Sequence, residues 1–367
     1  MTRRRAWLIA LLAPLLAGCD LVVMSPSGDI AAQQADLIVY STILMLIVII
    51  PVIGLTLYFG YHYRASNEKA NYSPDWDHSI SLEIVVWAVP LAIITCLAGL
   101  TWVATHRLEP YNPIARIKQH VPVPADAKPL VIQAVSMDWK WVFIYPEEGI
   151  ATVNEVAAVV DRPIEFQLTS VSVMNSLYIP ALAGMIYAMP GMQTELNAVI
   201  NERGTYRGFS ANYSGAGFSK MRFKFLGKND EGFDAWVNKV REKGGDLDLK
   251  TLAKLEEQTV DHPVTYFKIA EDKLWDRLVN NCVTPDKLCK HDLMVVDALG
   301  GGGLEGLWNR QLYKDMCTLT GKRDLKYLLP MKGRERTLAL LEALQTSQPV
   351  ADAAPLVGTG AATSTTN

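Results

Sequence analysis

Two long stretches of the chain carry no charge. Residues 37–61 read LIVYSTILMLIVIIPVIGLTLYFGY, and residues 84–104 read IVVWAVPLAIITCLAGLTWVA. At roughly 1.5 Å rise per residue each crosses the hydrocarbon core of a bilayer, so both predict transmembrane helices. Pro51 falls inside the first, where neighbouring helices can satisfy the freed carbonyl. Tyr61 and Tyr63 stand at its exit, and Trp87 and Trp102 lie near the ends of the second, as interfacial aromatics do. Residues 62–83 connect the two spans.

A shorter apolar run opens the chain. Arg3, Arg4 and Arg5 precede AWLIALLAPLLAG, too short to span and built like an export signal. The run ends in Leu16-Ala17-Gly18-Cys19, which resembles the bacterial lipoprotein box. The expectation is cleavage after residue 18 and lipidation of Cys19; the competing reading is an uncleaved anchor with an incidental cysteine. One lipid holds a protein only weakly, so further membrane segments are expected beside it. Basic residues flank both loops and do not decide orientation. Export of Cys19 does: 19–36 lie outside, 62–83 in the cytoplasm, and everything from about residue 106 outside.

Beyond Thr105 the pattern changes to short runs with β-like alternation. Strands are predicted at Leu130–Ser136, Trp139–Tyr145, Ala151–Val156, Ile164–Ser170, Thr194–Val199, Gly204–Phe209 and Met221–Leu226. Their number and spacing predict an all-β sandwich or small barrel over 125–228. In MDWKWVFIYP a period of two puts Trp139, Trp141, Phe143 and Tyr145 on one face. Such a stripe serves as core or subunit contact; Trp139 and Trp141 are also candidates for quinol contact or electron entry. Residues 229–348 read as a helical extension, opening with a helix over 231–240 that turns Phe233, Trp236, Val237 and Val240 to one side. Residues 349–367 are small and polar and predict disorder.

Composition narrows the chemistry. A net charge of −3 over 367 residues excludes a nucleic-acid partner of the usual basic kind. Five cysteines include no CxxCH for a covalent haem and no CxxC pair for a zinc ribbon. Cys96 lies within a span and reads as a packing residue. Cys282, Cys289 and Cys317, with His291 nearby, lack a usual zinc spacing. One disulfide and one free thiol are expected in an oxidising compartment, the pairing left open. Glu83, at the start of the second span, is either an interfacial charge reaching for water or a proton-entry carboxylate.

Two loops carry a family resemblance. Ser172–Met192 reads SVMNSLYIPALAGMIYAMPGM, and Gly208–Met221 reads GFSANYSGAGFSKM. With the two spans, they resemble subunit II of the haem-copper respiratory oxidases over about residues 19–245. The resemblance implies a membrane hairpin carrying a cupredoxin-like sandwich. In the cytochrome c branch the second loop reads CxExCGxxHxxM and, with one upstream histidine, holds a binuclear copper centre. Matched on Gly215 and Met221, this chain has Ser210 and Ser214 at the cysteine positions, Asn212 at the carboxylate and Phe218 at the histidine. Asn175 takes the upstream histidine's place; Met221 alone is retained. Hydroxyls and amides do not replace thiolate and imidazole for a soft metal, so no bound metal is expected in this chain.

Met174-Asn175-Ser176, Ile186-Tyr187-Ala188-Met189 and Ala211-Asn212-Tyr213-Ser214-Gly215 resemble the bo-type quinol oxidase branch. That implies a non-catalytic subunit of a proton-pumping ubiquinol oxidase in a bacterial inner membrane. Its partners would be subunits I, III and IV and membrane lipid, with haems and copper in subunit I. In this family a glutamate in the context SLEIVVWAVP lies at a proton-pathway mouth, which strengthens that reading of Glu83. A copper-carrying cytochrome c oxidase subunit and a non-enzymatic lipoprotein scaffold are the alternatives.

Overall fold

The computed structural model describes residues 21–71, 73, 75–271, 274–283 and 290. Helix α1 runs Asp29–His62 and α2 Ile80–Arg107. Both are long and apolar enough to cross a membrane, and their apolar windows have no protein cover. Pro51 does not break α1. The helix begins earlier than the apolar run, because its first two turns rest on the soluble domain. Ala31 and Ala35 are buried there. Buried Asp29, in the first turn, accepts from Arg116 Nε and Gln33 Nε2, each at 2.8 Å. A carboxylate at that end also suits the helix dipole. Residues 29–36 are thus helix continuous with the span. Gly28 is required just before it: a Cβ would lie 2.6 Å from the carbonyl oxygens of Leu182 and Val199.

The soluble domain contains β1 Arg116–Lys118, β2 Val121–Pro122, β3 Leu130–Met137, β4 Lys140–Tyr145, β5 Ile150–Val153, β6 Glu155–Val159, β7 Pro163–Ser170, β8 Asn175–Tyr178, β9 Ile186–Ala188, β10 Thr194–Val199, β11 Gly204–Ser210 and β12 Arg222–Lys228. After these come α3 Asp230–Lys243, β13 Gly245–Leu247, α4 Leu249–Leu255, β14 Thr265–Ile269 and α5 Leu274–Val279. A seven-stranded sheet has the order β10-β7-β3-β4-β5-β14-β13, and a five-stranded one β6-β12-β11-β8-β9. They form a cupredoxin-like sandwich, with Trp141, Phe143, Tyr145 and Phe166 packed against Leu177, Phe223 and Phe225.

The larger sheet is apolar on its other face too. Val135, Met137, Val142, Ile144, Ala151 and Val153 pack under Leu247, Leu252, Leu255, Leu274 and Leu278 of the extension. Two uncharged faces need two covers. The extension therefore supplies strands as well as the expected helices: β14 pairs antiparallel with β5, and β13 runs parallel to β14. Helix α3 buries Phe233, Trp236, Val237 and Val240.

Two of the predicted strands differ by more than a shift of their ends. Ala151–Val156 divides at Asn154, whose φ of +57° turns the chain from one sheet to the other. Its Oδ1 accepts from Trp141 N at 3.0 Å and its Nδ2 donates to His262 O at 2.8 Å. Asparagine tolerates this left-handed conformation better than most residues. Trp139, with φ of +62°, belongs to the turn before β4 and not to the strand. It therefore does not share a strand face with Trp141.

Two polar anchors fix the extension. Lys140 is fully buried, and its Nζ donates to Leu255 O and Glu257 O, each at 2.7 Å. It thereby serves the end of α4, where a cation opposes the helix dipole. Burial lowers the Lys140 pKa against the opposing pull of Asp138 and Glu257. Buried Glu155 Oε1 accepts from Trp236 Nε1 at 2.9 Å and from Tyr266 Oη at 2.8 Å. Cys282 is disulfide-bonded. Cys19, Cys289, Cys317 and His291 lie outside the described residues. Cys96 is free and exposed on α2. The readings of 291–348 as helical and of 349–367 as disordered also fall outside the described residues.

Lys140→Ala leaves the buried Leu255 carbonyl without a donor and frees that of exposed Glu257, at an expected cost of roughly 1–3 kcal/mol. Faster proteolysis within 249–257 of the folded chain checks it. A second expectation concerns pH. Burial raises the Tyr145 phenol, and burial with the Glu155 hydrogen bond raises that of Tyr266, both above the ordinary 10.0. Raised folded-state values give a contribution that is complete below about pH 10 and lost as the pH climbs beyond it. In a phenolate absorbance titration of the folded chain, Tyr266→Phe should therefore remove no signal near pH 10.

Candidate functional site

Strand pairing assembles the two loops that the sequence singled out. β11 pairs with β8 through Phe209↔Tyr178 and Ser210↔Leu177, which brings Ser210 beside Asn175. Ser210 Oγ donates to Asn175 Oδ1 at 2.8 Å, and both residues are buried. Asn212 Nδ2 donates to Met174 O at 3.0 Å and holds the two loops together. Met221 is buried; its carbonyl accepts from Ser210 N at 3.2 Å. Phe218 is half-buried and meets Tyr213 edge-on at 5.6 Å between centroids. Ser214 Oγ is buried without a hydrogen-bond partner, while its carbonyl accepts from Trp139 Nε1 at 3.0 Å. The structure thus gathers Asn175, Ser210 and Met221 into one buried group and sets Asn212, Ser214 and Phe218 on the loop around it.

These donors do not fit the binuclear copper centre of the resembling family. An amide, hydroxyls and a phenyl ring supply neither thiolate nor imidazole, and a thioether alone is a weak ligand. The geometry adds a second obstacle, since the Ser210 hydroxyl and the Asn175 amide are already used on each other. Among the described residues no group of three His, Cys, Asp or Glu gathers anywhere.

Trp139 has a role that alternation concealed. Its indole lies against Gly215 and Gly217; a Cβ on Gly217 would come within 2.2 Å of the ring. Gly215 has φ of +108°, which also favours glycine. The side chain is a buttress for the second loop. The clue in the sequence was the Gly215-Ala216-Gly217 spacing, which admits a large ring against the backbone. Trp141 is fully buried, stacked with Phe143 at 6.4 Å and edge-on to Phe223 at 6.1 Å. A quinol ring has no direct approach to it.

Glu83 is not part of this group. It lies in the first turn of α2, exposed, with His78 Nδ1 2.8 Å from its carboxylate. Arg107 is twenty-four helical steps further on, about 36 Å at roughly 1.5 Å each.

Residues 241–286 match the family described as COX Aromatic Rich Motif. The chain is 48% identical over 273 residues to the cytochrome bo(3) ubiquinol oxidase subunit 2 of Pseudomonas aeruginosa, covering 74% of this chain and 80% of the relative. It is 47% identical over 278 residues to the ubiquinol oxidase subunit 2 of Acetobacter aceti, covering 75% and 88%. A solved structure, the periplasmic domain of subunit II of cytochrome oxidase of Bradyrhizobium japonicum, is 24% identical and covers 33% of this chain and 97% of its own, with a TM-score of 0.31. The fold assignment above rests on the strand topology and core.

Ser210→Ala leaves the Asn175 amide oxygen buried without its donor, at an expected cost of about 1–3 kcal/mol. Adding Asn175→Leu should recover part of that loss. Denaturant unfolding of the single and double variants checks the coupling.

Proposed function

The chain belongs to the subunit 2 family of the ubiquinol oxidases, and from that premise we propose that it works without handling electrons itself. The supporting observation is the Ser210–Asn175 hydrogen bond, buried where the copper-bearing branch has sulfur and imidazole. A water-soluble haem protein outside the membrane needs a port in this domain. Ubiquinol does not, because it dissolves in the bilayer and can reach a partner subunit from the side. This chain then contributes assembly and the shape of the outer face. The haems and copper belong to subunit I, and subunits III and IV complete a proton-pumping complex that reduces oxygen to water.

Further parts of the proposal concern placement and protons. Lipidated Cys19 and the two spans hold the chain in a bacterial inner membrane, with the sandwich in the periplasm. Glu83 then stands at the cytoplasmic end of α2, where its exposed carboxylate is free to pass protons to a neighbouring subunit. His78, its hydrogen-bonding neighbour, would orient it. Trp139 and Trp141 act here by packing, as their contacts support. The copper-carrying alternative would need a donor set that this loop lacks, and a lipoprotein scaffold would bring no haem protein with it.

The intact complex, purified through this chain, is expected to oxidise ubiquinol and not reduced cytochrome c. Copper bound stoichiometrically to the isolated chain would overturn the proposal. Glu83→Gln should slow ubiquinol-driven oxygen consumption, and the proton uptake that accompanies it, at least several-fold with the haem spectrum unchanged; the rates of both in vesicles measure it.

A further inference from the structure

The outer face of the five-stranded sheet has an electrostatic pattern that the described residues do not balance. On it Arg207 stands directly opposite Lys224, and Arg222 lies opposite Phe209 on the same face. Like charges paired across strands are destabilising unless something neutralises them. Among the described residues Arg207, Lys220, Arg222 and Lys224 enter no ion pair. The carboxylate in register with Lys224, Glu155, is bonded to Trp236 and Tyr266. Arg222 Nε is held by Ser219 O at 2.9 Å, which fixes its guanidinium.

Arg207 and Arg222 flank an open concavity of about 850 Å³. Tyr178, Phe209, Phe218 and Met221 form its apolar floor, and among the described residues no acidic one lines it. Exposed Val173, Met174 and Tyr213 lie on the neighbouring loops, and exposed Tyr187 on β9. Tyrosine, methionine and arginine are residues enriched where proteins meet. Gly184 and Met185 line both this concavity and a cleft beside the first turns of α1, so the surface is continuous with the membrane hairpin.

We propose that this face docks a membrane-embedded partner subunit, and that the Arg207–Arg222 concavity receives a carboxylate-bearing segment of it. The carboxylate would take the place of the missing counter-ion, and an adjoining apolar side chain would cover the aromatic floor. Guanidinium groups suit such a partner because they bind carboxylates in pairs of hydrogen bonds. The proposal rests on the reading of this chain as one subunit of an oxidase complex.

The test uses the full chain, affinity-tagged and co-expressed with its partners. Arg207→Glu with Arg222→Glu is expected to lower recovery of the haem-bearing partner at least tenfold, while Arg207→Lys with Arg222→Lys retains most of it. Unchanged membrane levels of the tagged chain show that the variants fold and insert. Independently, a photo-crosslinking amino acid at exposed Met185, with both arginines intact, should label a partner peptide containing Asp or Glu. Labelling of lipid alone, or of residues 284–367 of this chain, overturns the proposal. So does full recovery of the partner by the charge-reversed chain. If the unaltered chain recovers no haem protein, the functional reading fails together with this one; if it does and the reversal has no effect, this one fails alone.

Discussion

A sheet that is apolar on both sides has to be buried on both sides, and this requirement governs the soluble domain. The run Lys140–Tyr145 is buried at every position. Its alternate residues feed two separate cores, Trp141, Phe143 and Tyr145 into one, Val142 and Ile144 into the other. The second sheet covers the first face. Among the described residues the segment after residue 228 supplies most of the cover for the other, so the extension is a structural part of the sandwich. The matched aromatic-rich segment, 241–286, falls on this cover. A lysine buried at the start of β4 is tolerable for the same reason, since the cover brings backbone carbonyls to it.

Against this scaffold, the loops at one end of the sandwich are free to change chemistry without changing shape. The pairing of β8 with β11 sets position 210 opposite 177, so that 175, two residues along on the same face, is its diagonal neighbour whatever side chains they carry. With asparagine and serine there, the interior is closed by a neutral hydrogen bond. Glycines at 215 and 217 keep the loop pressed on the Trp139 ring, and that contact holds its course.

Much of this architecture was legible in the sequence. Both spans stand out by length and lack of charge, and seven strand regions by alternation. The four residues that α3 buries follow from helical spacing. The frame of the two loops was legible because its glycines and Met221 persist. What escaped has physical causes. Asn154 divides one apolar run between two sheets, which periodicity cannot register because both halves are buried. β14 reads TYFKI, too short to stand apart from flanking helical patterns. Trp139 fits the strand period but takes a turn conformation. The positive face of β11 and β12 needed the register, since Arg207 and Lys224 are far apart in sequence.

The seating of α1 carries a mechanical corollary. One unbroken rod leaves the soluble domain as the first apolar span, clamped at its root by Gly28 against two carbonyls and by Asp29 on Arg116. There is no swivel between them on this side. Tilting the rod in the lipid must therefore swing the whole sandwich, so bilayer thickness sets the height and pitch at which the domain overhangs its neighbours.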